Sequence, residues 1–317
     1  MGKYLNPFTD FGFKKLFGSE PNKDLLINFL NQLLPKHHQI KDLTFTNNER
    51  LGATADARNA VFDLFCISKT GERFIVEMQK AKQNYFKERS VFYATFPIHE
   101  QAERGEKWNF KLDAVYLIGV LDFVFADNKD DQEMCHFVQL KDQSNRVFYD
   151  KLTLIYLEMP KFTKTEAELK TPFDKWLYVL RHLPELQKRP AKLQERVFGK
   201  LFKQAEIGNF NREERLQYEA SVMAYRDMKN VIDTAAADGE IKGLARGRAE
   251  GREEGREEGR EEGREEGREE GREEGALNKA KDIARKLLKK KTPLADIADL
   301  TGLSKDEIKS LSVKAAT

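Results

Sequence analysis

A glycine recurs at every fourth position from Gly239 to Gly275, which takes ten of the chain's 20 glycines, and the unit GREE repeats six times between Gly251 and Glu274. This periodicity sets the domain plan. Each glycine costs roughly 1 kcal/mol against alanine in a helix interior. Every charged i,i+4 pair in the repeat joins like charges, as Arg252 with Arg256, so only i,i+3 pairs such as Glu253 with Arg256 favour a helix. Without an apolar stripe the segment cannot close a coiled-coil seam either. The spacing therefore predicts a solvated tether, weakly helical or disordered, over 239–275. It separates a body over 1–238 from a short tail over 276–317.

At 317 residues and 40% hydrophobic content, the chain is long enough for one sizeable core and a smaller appendage. Its 55 basic and 53 acidic residues nearly cancel, to +2, so any face that binds nucleic acid must be local. Two cysteines exclude a disulfide framework and fit a reducing compartment; Cys66 and Cys135 read as small buried hydrophobes. No segment has the length and apolarity of a secretory signal or a membrane span, so a cytoplasmic protein with no membrane partner is expected.

Within the body, apolar residues at helical spacing from Lys23 to Leu34 predict an early amphipathic helix that Pro35 stops. Ala60–Ser68 and Arg73–Gln79 are rich in branched and aromatic residues and are separated by Lys69-Thr70-Gly71, which predicts a β-hairpin. A long helix is expected over 84–104, and the apolar run in 111–125 suits a strand covered on both faces. Further strands are expected over 133–140 and 151–157, and helices over 166–237. That order is an α/β sandwich, a central mixed sheet flanked by helices with a helical extension. In the tail, Ser304 and Glu307 form a capping box and Gly302 can turn the chain, so 293–311 resembles a helix-turn-helix. Ten Lys or Arg against five Asp or Glu over 276–317 suit phosphate contacts. A small helical cap, or an element that makes the chain a homo-oligomer, accounts for the tail equally well.

Two acids stand out because they interrupt apolar strands. Asp63 lies in AVFDLFCIS and Glu77 in FIVEMQ, where an unpaired carboxylate would be costly to bury. A three-residue turn with Gly71 in the left-handed position pairs Ser68 with Glu72, and the same register sets Asp63 opposite Glu77 on one sheet face. Two carboxylates at that separation repel unless a cation or proton lies between them. Hydrolysis of a phosphodiester with a hard metal ion requires such converging oxygen donors. Gln79, at i+2, shares the face.

Asp63, the short hairpin and Glu77-Met78-Gln79 resemble the PD-(D/E)XK nuclease core, with Gln where Lys is usual. FTDFGFKKLFG near the start, LLINFLNQLL, IVEMQ, FKERSVFYAT and LIGVLDF are similar to the recombination-promoting nuclease and putative transposase family over roughly residues 4–240. The resemblance implies a restriction-endonuclease-like core and a metal-dependent DNA endonuclease that promotes recombination or transposition-like events. It implies that Asp63, Glu77 and the backbone carbonyl of Met78 bind Mg²⁺ or Mn²⁺, and that Gln79 orients the attacking water. Glutamine can hydrogen-bond but carries no charge, so a slower or Mn²⁺-favouring enzyme is expected. Lys80 projects to the opposite face by strand parity, which leaves Lys82 or Lys87 to supply a migrated charge.

Asp10 and Lys14 match the family's opening motif, although a capping Asp and a solvated Lys explain them as well. Arg89 could contact a phosphate or pair with an acid. The five histidines lack zinc-ligand spacing, the acids at 127–133 lack calcium-loop spacing, and no phosphate-binding glycine loop occurs. The alternative to an enzyme is a DNA- or partner-binding protein derived from such a nuclease, with Gln79 marking weakened catalysis.

Overall fold

The computed structural model describes residues 2–35, 38–50, 60–102 and 109–313; His37, Arg104 and the end of the tail lie outside them. The chain divides into two compact units, 1–234 and 235–317. The first opens with helices α1 (Asp10–Phe17) and α2 (Lys23–Leu30), followed by strands β1 (Leu43–Phe45), β2 (Glu49–Arg50), β3 (Ala60–Val61), β4 (Leu64–Ser68) and β5 (Arg73–Gln79). It continues with α3 (Phe86–His99), β6 (Val115–Leu121), β7 (Cys135–Lys141), β8 (Val147–Glu158), α4 (Pro172–His182), α5 (Arg196–Ala205) and the first part of α6 (Arg212–Lys289). β1, β4, β5, β6, β8 and β7 form one six-stranded sheet in that order, while β2 and β3 pair separately. β5, β6 and β8 run parallel, and the remaining pairs are antiparallel. This is the mixed sheet flanked by helices that the sequence predicts.

Side-chain alternation gives the sheet two buried faces. Phe74, Val76 and Met78 of β5 join Tyr116, Ile118 and Val120 of β6 in the larger core, with α1, α2, α4 and α5. Trp176, fully buried in α4, anchors it through Phe17, Phe29 and Phe198 at 5.2–5.9 Å between ring centroids. Ile75 of β5 joins Val115 and Leu117 of β6 in a smaller core closed by Phe86 and Ala94 of α3. Glu77 and Gln79 share the parity of Ile75, and therefore this face. The hairpin turn needs its glycine: Gly71 has φ +99°, and a Cβ there would stand 2.4 Å from the Asp113 carboxylate.

The structure differs from the sequence reading in three places. The strand expected over 60–68 is broken at Phe62 and Asp63, because Phe62 turns into the α3-side core while β3 leaves to pair with β2. α2 is shorter than its periodicity suggests, since the Asn31 amide caps it on the Ile27 carbonyl and the Asn31 side chain turns back to hold Ile40. The glycine repeat is helical, within α6, in place of the weakly helical tether. Propagation is less demanding than nucleation. Residues 212–234 already form helix against the body, so each repeat adds one poor helix former and three good ones to an existing helix.

In the second unit, the end of α6 packs with α7 (Leu294–Thr301) and α8 (Lys305–Val313) around Ala284, Ile297, Leu303, Ile308 and Leu311. Gly302 turns the chain at φ 70°. Ser304 and Glu307 cap α8 reciprocally, the Ser304 amide donating to Glu307 at 2.9 Å and the Glu307 amide to Ser304 Oγ at 3.3 Å. No described helix is long and apolar enough to cross a membrane.

Candidate active site

The β4–β5 register pairs Leu64 with Val76 and Ile67 with Arg73, and one step further brings Asp63 level with Glu77. The two carboxylates are interlocked through the backbone. The Asp63 amide donates to Glu77 Oε1 at 3.2 Å, and the Met78 amide donates to Asp63 Oδ2 at 2.7 Å. A strand residue turns its N–H and C=O to the same edge, so the Met78 carbonyl points to the β4 side of β5 as well. Gln79 Nε2 donates to Glu77 Oε2 at 3.0 Å. The bend at Asp63 is splinted by Asn48, whose side chain donates to the Asp63 carbonyl at 2.8 Å and accepts from the Phe65 amide at 3.2 Å.

Glu77 is 3% exposed and Gln79 8%. Both acids are held above their ordinary carboxylate values, Glu77 at about 8. For Glu77 the main cause is burial, followed by the charge of Asp63; the Asp63 amide, Arg89 and Gln79 oppose them. For Asp63 burial again leads, opposed by the Met78 amide, and Asp10 raises it further while Lys14 and Lys80 lower it. Two carboxyls this close resist joint ionisation unless a proton or a cation lies between them.

A pocket of about 170 Å³ opens over this hairpin, lined by Thr9, Asp10 and Phe13 of the α1 region, by Asp63 and 78–81, and by Gln83 and Met228. Glu77 lies behind Asp63 and does not line it. Thr9 caps α1 by accepting from the Gly12 amide at 3.0 Å, which presents Asp10, paired with Lys14 at 2.9 Å, at the rim. The α6 wall is tied to α1: the Asn6 amide donates to Tyr218 Oη at 2.9 Å and the Phe11 amide to Ser221 Oγ at 3.1 Å. Tyr225 donates to Asp122 at 2.7 Å, and the Asp122 amide donates to the Gln79 carbonyl at 2.9 Å, which ties α6 to the end of β5 as well.

Lysine placement corrects the parity argument. β5 ends at Gln79, so alternation no longer governs Lys80, which lines the pocket and lowers the Asp63 carboxyl. Lys87 instead pairs with Asp127 at 2.6 Å and covers the Phe125 ring, and the charge of Lys82 also acts on Asp127. Arg89 stacks on Phe86 and Tyr93 and bonds Gln83, and its charge favours ionised Glu77. Two of the described histidines are engaged elsewhere: His136 pairs with Glu158 and His182 with Glu185. Burial pushes the thiols of Cys66 and Cys135 up to about 12, as suits small apolar residues. Asn48 and Met228 escape the sequence reading; each reaches the site through a fold contact that spacing does not encode.

No cluster of three His, Cys, Asp or Glu that could hold a metal occurs among the described residues. The two carboxylates that the hairpin brings together, Asp63 and Glu77, are hard oxygen donors. Oxygen donors of this kind are the ones that hard divalent cations prefer.

A mixed sheet flanked by helices, with paired acids beside a hairpin at the end of a parallel strand, defines the restriction-endonuclease-like α/β class of PD-(D/E)XK nucleases. Nucleases of this class act on DNA and generally use divalent metals. Residues 7–235 match the family described as PD-(D/E)XK nuclease family transposase, and the chain belongs to that family. No curated protein and no solved structure gave a match.

Proposed function

We propose that the chain is a divalent-metal-dependent DNA endonuclease of the cytoplasm that promotes recombination or transposition-like events, with Asp63, Glu77 and the Met78 carbonyl as the metal-holding groups. The observation that carries this reading is the interlocked pair of buried Glu77 and half-buried Asp63, with Asp63 lining a pocket of about 170 Å³. Bound Mg²⁺ or Mn²⁺ would polarise the phosphate and lower the pKa of a water. Gln79 spends one amide hydrogen on Glu77, and its other hydrogen and Oε1 are left to orient that water. Lys80 supplies the positive charge that Gln79 lacks, from the same pocket, against the developing phosphorane charge. Asp10 and Lys14 hold the rim.

Nicking of supercoiled plasmid by the purified full chain in Mg²⁺, Mn²⁺ or EDTA tests the assignment. Cleavage is expected only with metal, and not in Asp63→Asn or Glu77→Gln. DNA retention without cleavage would favour the second reading, a binding protein in which Gln79 marks lost catalysis.

A further inference from the structure

Tyr85 occupies the turn between β5 and α3 in a backbone conformation that a bulky residue rarely adopts. Its φ of 62° and ψ of 28° are left-handed, a region that favours glycine and asparagine. It sits at the N-cap of α3, where extended backbone and a small polar side chain are usual, and it makes no capping bond. Burial does not compensate, since the side chain is 77% exposed.

The surroundings hold the strain in place. The Arg89 amide donates to the Tyr85 carbonyl at 2.8 Å, and the Arg89 guanidinium returns to the side chain of Gln83. Gln83 lines the pocket with Asp63, Gln79 and Lys80, and two peptide units separate it from Tyr85, at most ~7 Å between Cα atoms. Over 80–89 the chain carries Lys80, Lys82, Lys87 and Arg89 against Glu88 alone. An exposed aromatic ring in a cationic segment beside a phosphate-sized pocket combines the two elements that bind single-stranded nucleic acid, a base platform and a backbone track. Strained residues held by their neighbours cluster at such functional places.

We propose that Tyr85 stacks on a nucleobase next to the phosphate in the Asp63 pocket, so that the site prefers DNA unpaired at that position, single-stranded, frayed or flapped, to intact duplex. The proposal rests on the nuclease reading for the identity of the strand. In intact duplex both faces of a base are already covered by its neighbours, and the ring gains nothing from them.

Binding of a fluorescein-labelled 12-nucleotide single strand and of the matching duplex, followed by anisotropy in EDTA with the full chain, tests the idea without cleavage. Tyr85→Ala should weaken single-strand binding by roughly 5- to 150-fold and affect the duplex much less, while Tyr85→Phe keeps the affinity. In Tyr85→Trp the added indole fluorescence should be quenched by the single strand. Tyr85→Gly should weaken binding yet raise Tm by roughly 2 °C, because it relieves the positive φ. Equal losses on single strand and duplex, unchanged binding in Tyr85→Ala, or a lower Tm in Tyr85→Gly would overturn the proposal. So would a wild-type chain that binds no single strand, which would leave the ring to a protein partner. Because the readout is binding, a chain that nicks no plasmid but shows the Tyr85 effects would lose the nuclease reading alone.

Discussion

Replacing Glu77 with glutamine in the metal-free protein should raise stability at neutral pH and remove about one proton's worth of pH dependence. Burial, with the charge of Asp63 behind it, holds the Glu77 carboxyl above its ordinary value of 4.5. A raised native value means that the folded protein keeps a proton which the unfolded chain releases above 4.5. Stability is therefore full below that pH and falls as pH rises, by about 1.4 kcal/mol per pH unit. Between pH 5 and 7 the loss is about 2 to 3 kcal/mol, a large share of a typical 5–15 kcal/mol. Glutamine fits the same space: its Oε1 can accept from the Asp63 amide, and its NH₂ faces a Gln79 amide that can turn over to accept. A divalent cation at a hundred times its Kd stabilises wild type by about 2.7 kcal/mol, similar to what the pH rise removes, and should do nothing for the variant. Urea unfolding of EDTA-treated protein at pH 5, 6 and 7, with and without Mg²⁺ or Mn²⁺, measures all of this. If Glu77→Gln shows the wild-type slope, or is less stable than wild type at pH 7, Glu77 is a structural acid and the reasoning is wrong.

Lys80→Ala should slow cleavage by ~10²-fold with little change in Tm, whereas Lys87→Ala, whose ammonium is engaged with Asp127, should stay near wild type; equal effects in plasmid nicking would remove Lys80 from the site. Gly259, Gly263 and Gly267 changed together to Ala meet no atom within 4 Å, so the helix should gain ~3 kcal/mol and repeat amides should exchange ~10²-fold more slowly. Unchanged exchange would argue that the repeat is not helical in solution. Deleting two or three GREE units should leave the unfolding of residues 2–234 as it was, and a clear drop in Tm would count against that. Removing 276–317 should weaken DNA binding and flatten its salt dependence; an unchanged salt slope would favour the plain helical cap.

The hairpin could be read from the sequence because turn chemistry fixes register: Gly71 supplies the positive φ, and counting outward from Ser68 and Glu72 reaches Asp63 and Glu77. The bend at Asp63 could not, since it arises from Asn48, fifteen residues away, and from the pairing of β3 with β2. Strand parity puts Lys80 on the far face, but alternation holds only while the strand lasts, and β5 stops one residue earlier. The Met228 wall is a contact across more than 140 residues of chain, with nothing local to announce it. The helicity of the repeat was missed for a different reason: propensities summed within the segment leave out the helix already formed on its N-terminal side.

The pocket takes its walls from residues as distant in sequence as Thr9 and Met228. During synthesis the acids of the hairpin leave the ribosome long before the last wall does. At 5–20 residues per second, the interval from Gln79 to Met228 lasts roughly 7–30 s. Through that time a nascent chain carries both carboxylates but lacks the helix that closes the site and ties α1 to the end of β5. Truncated translation products ending before Met228 should accordingly carry both acids in a pocket that is never closed.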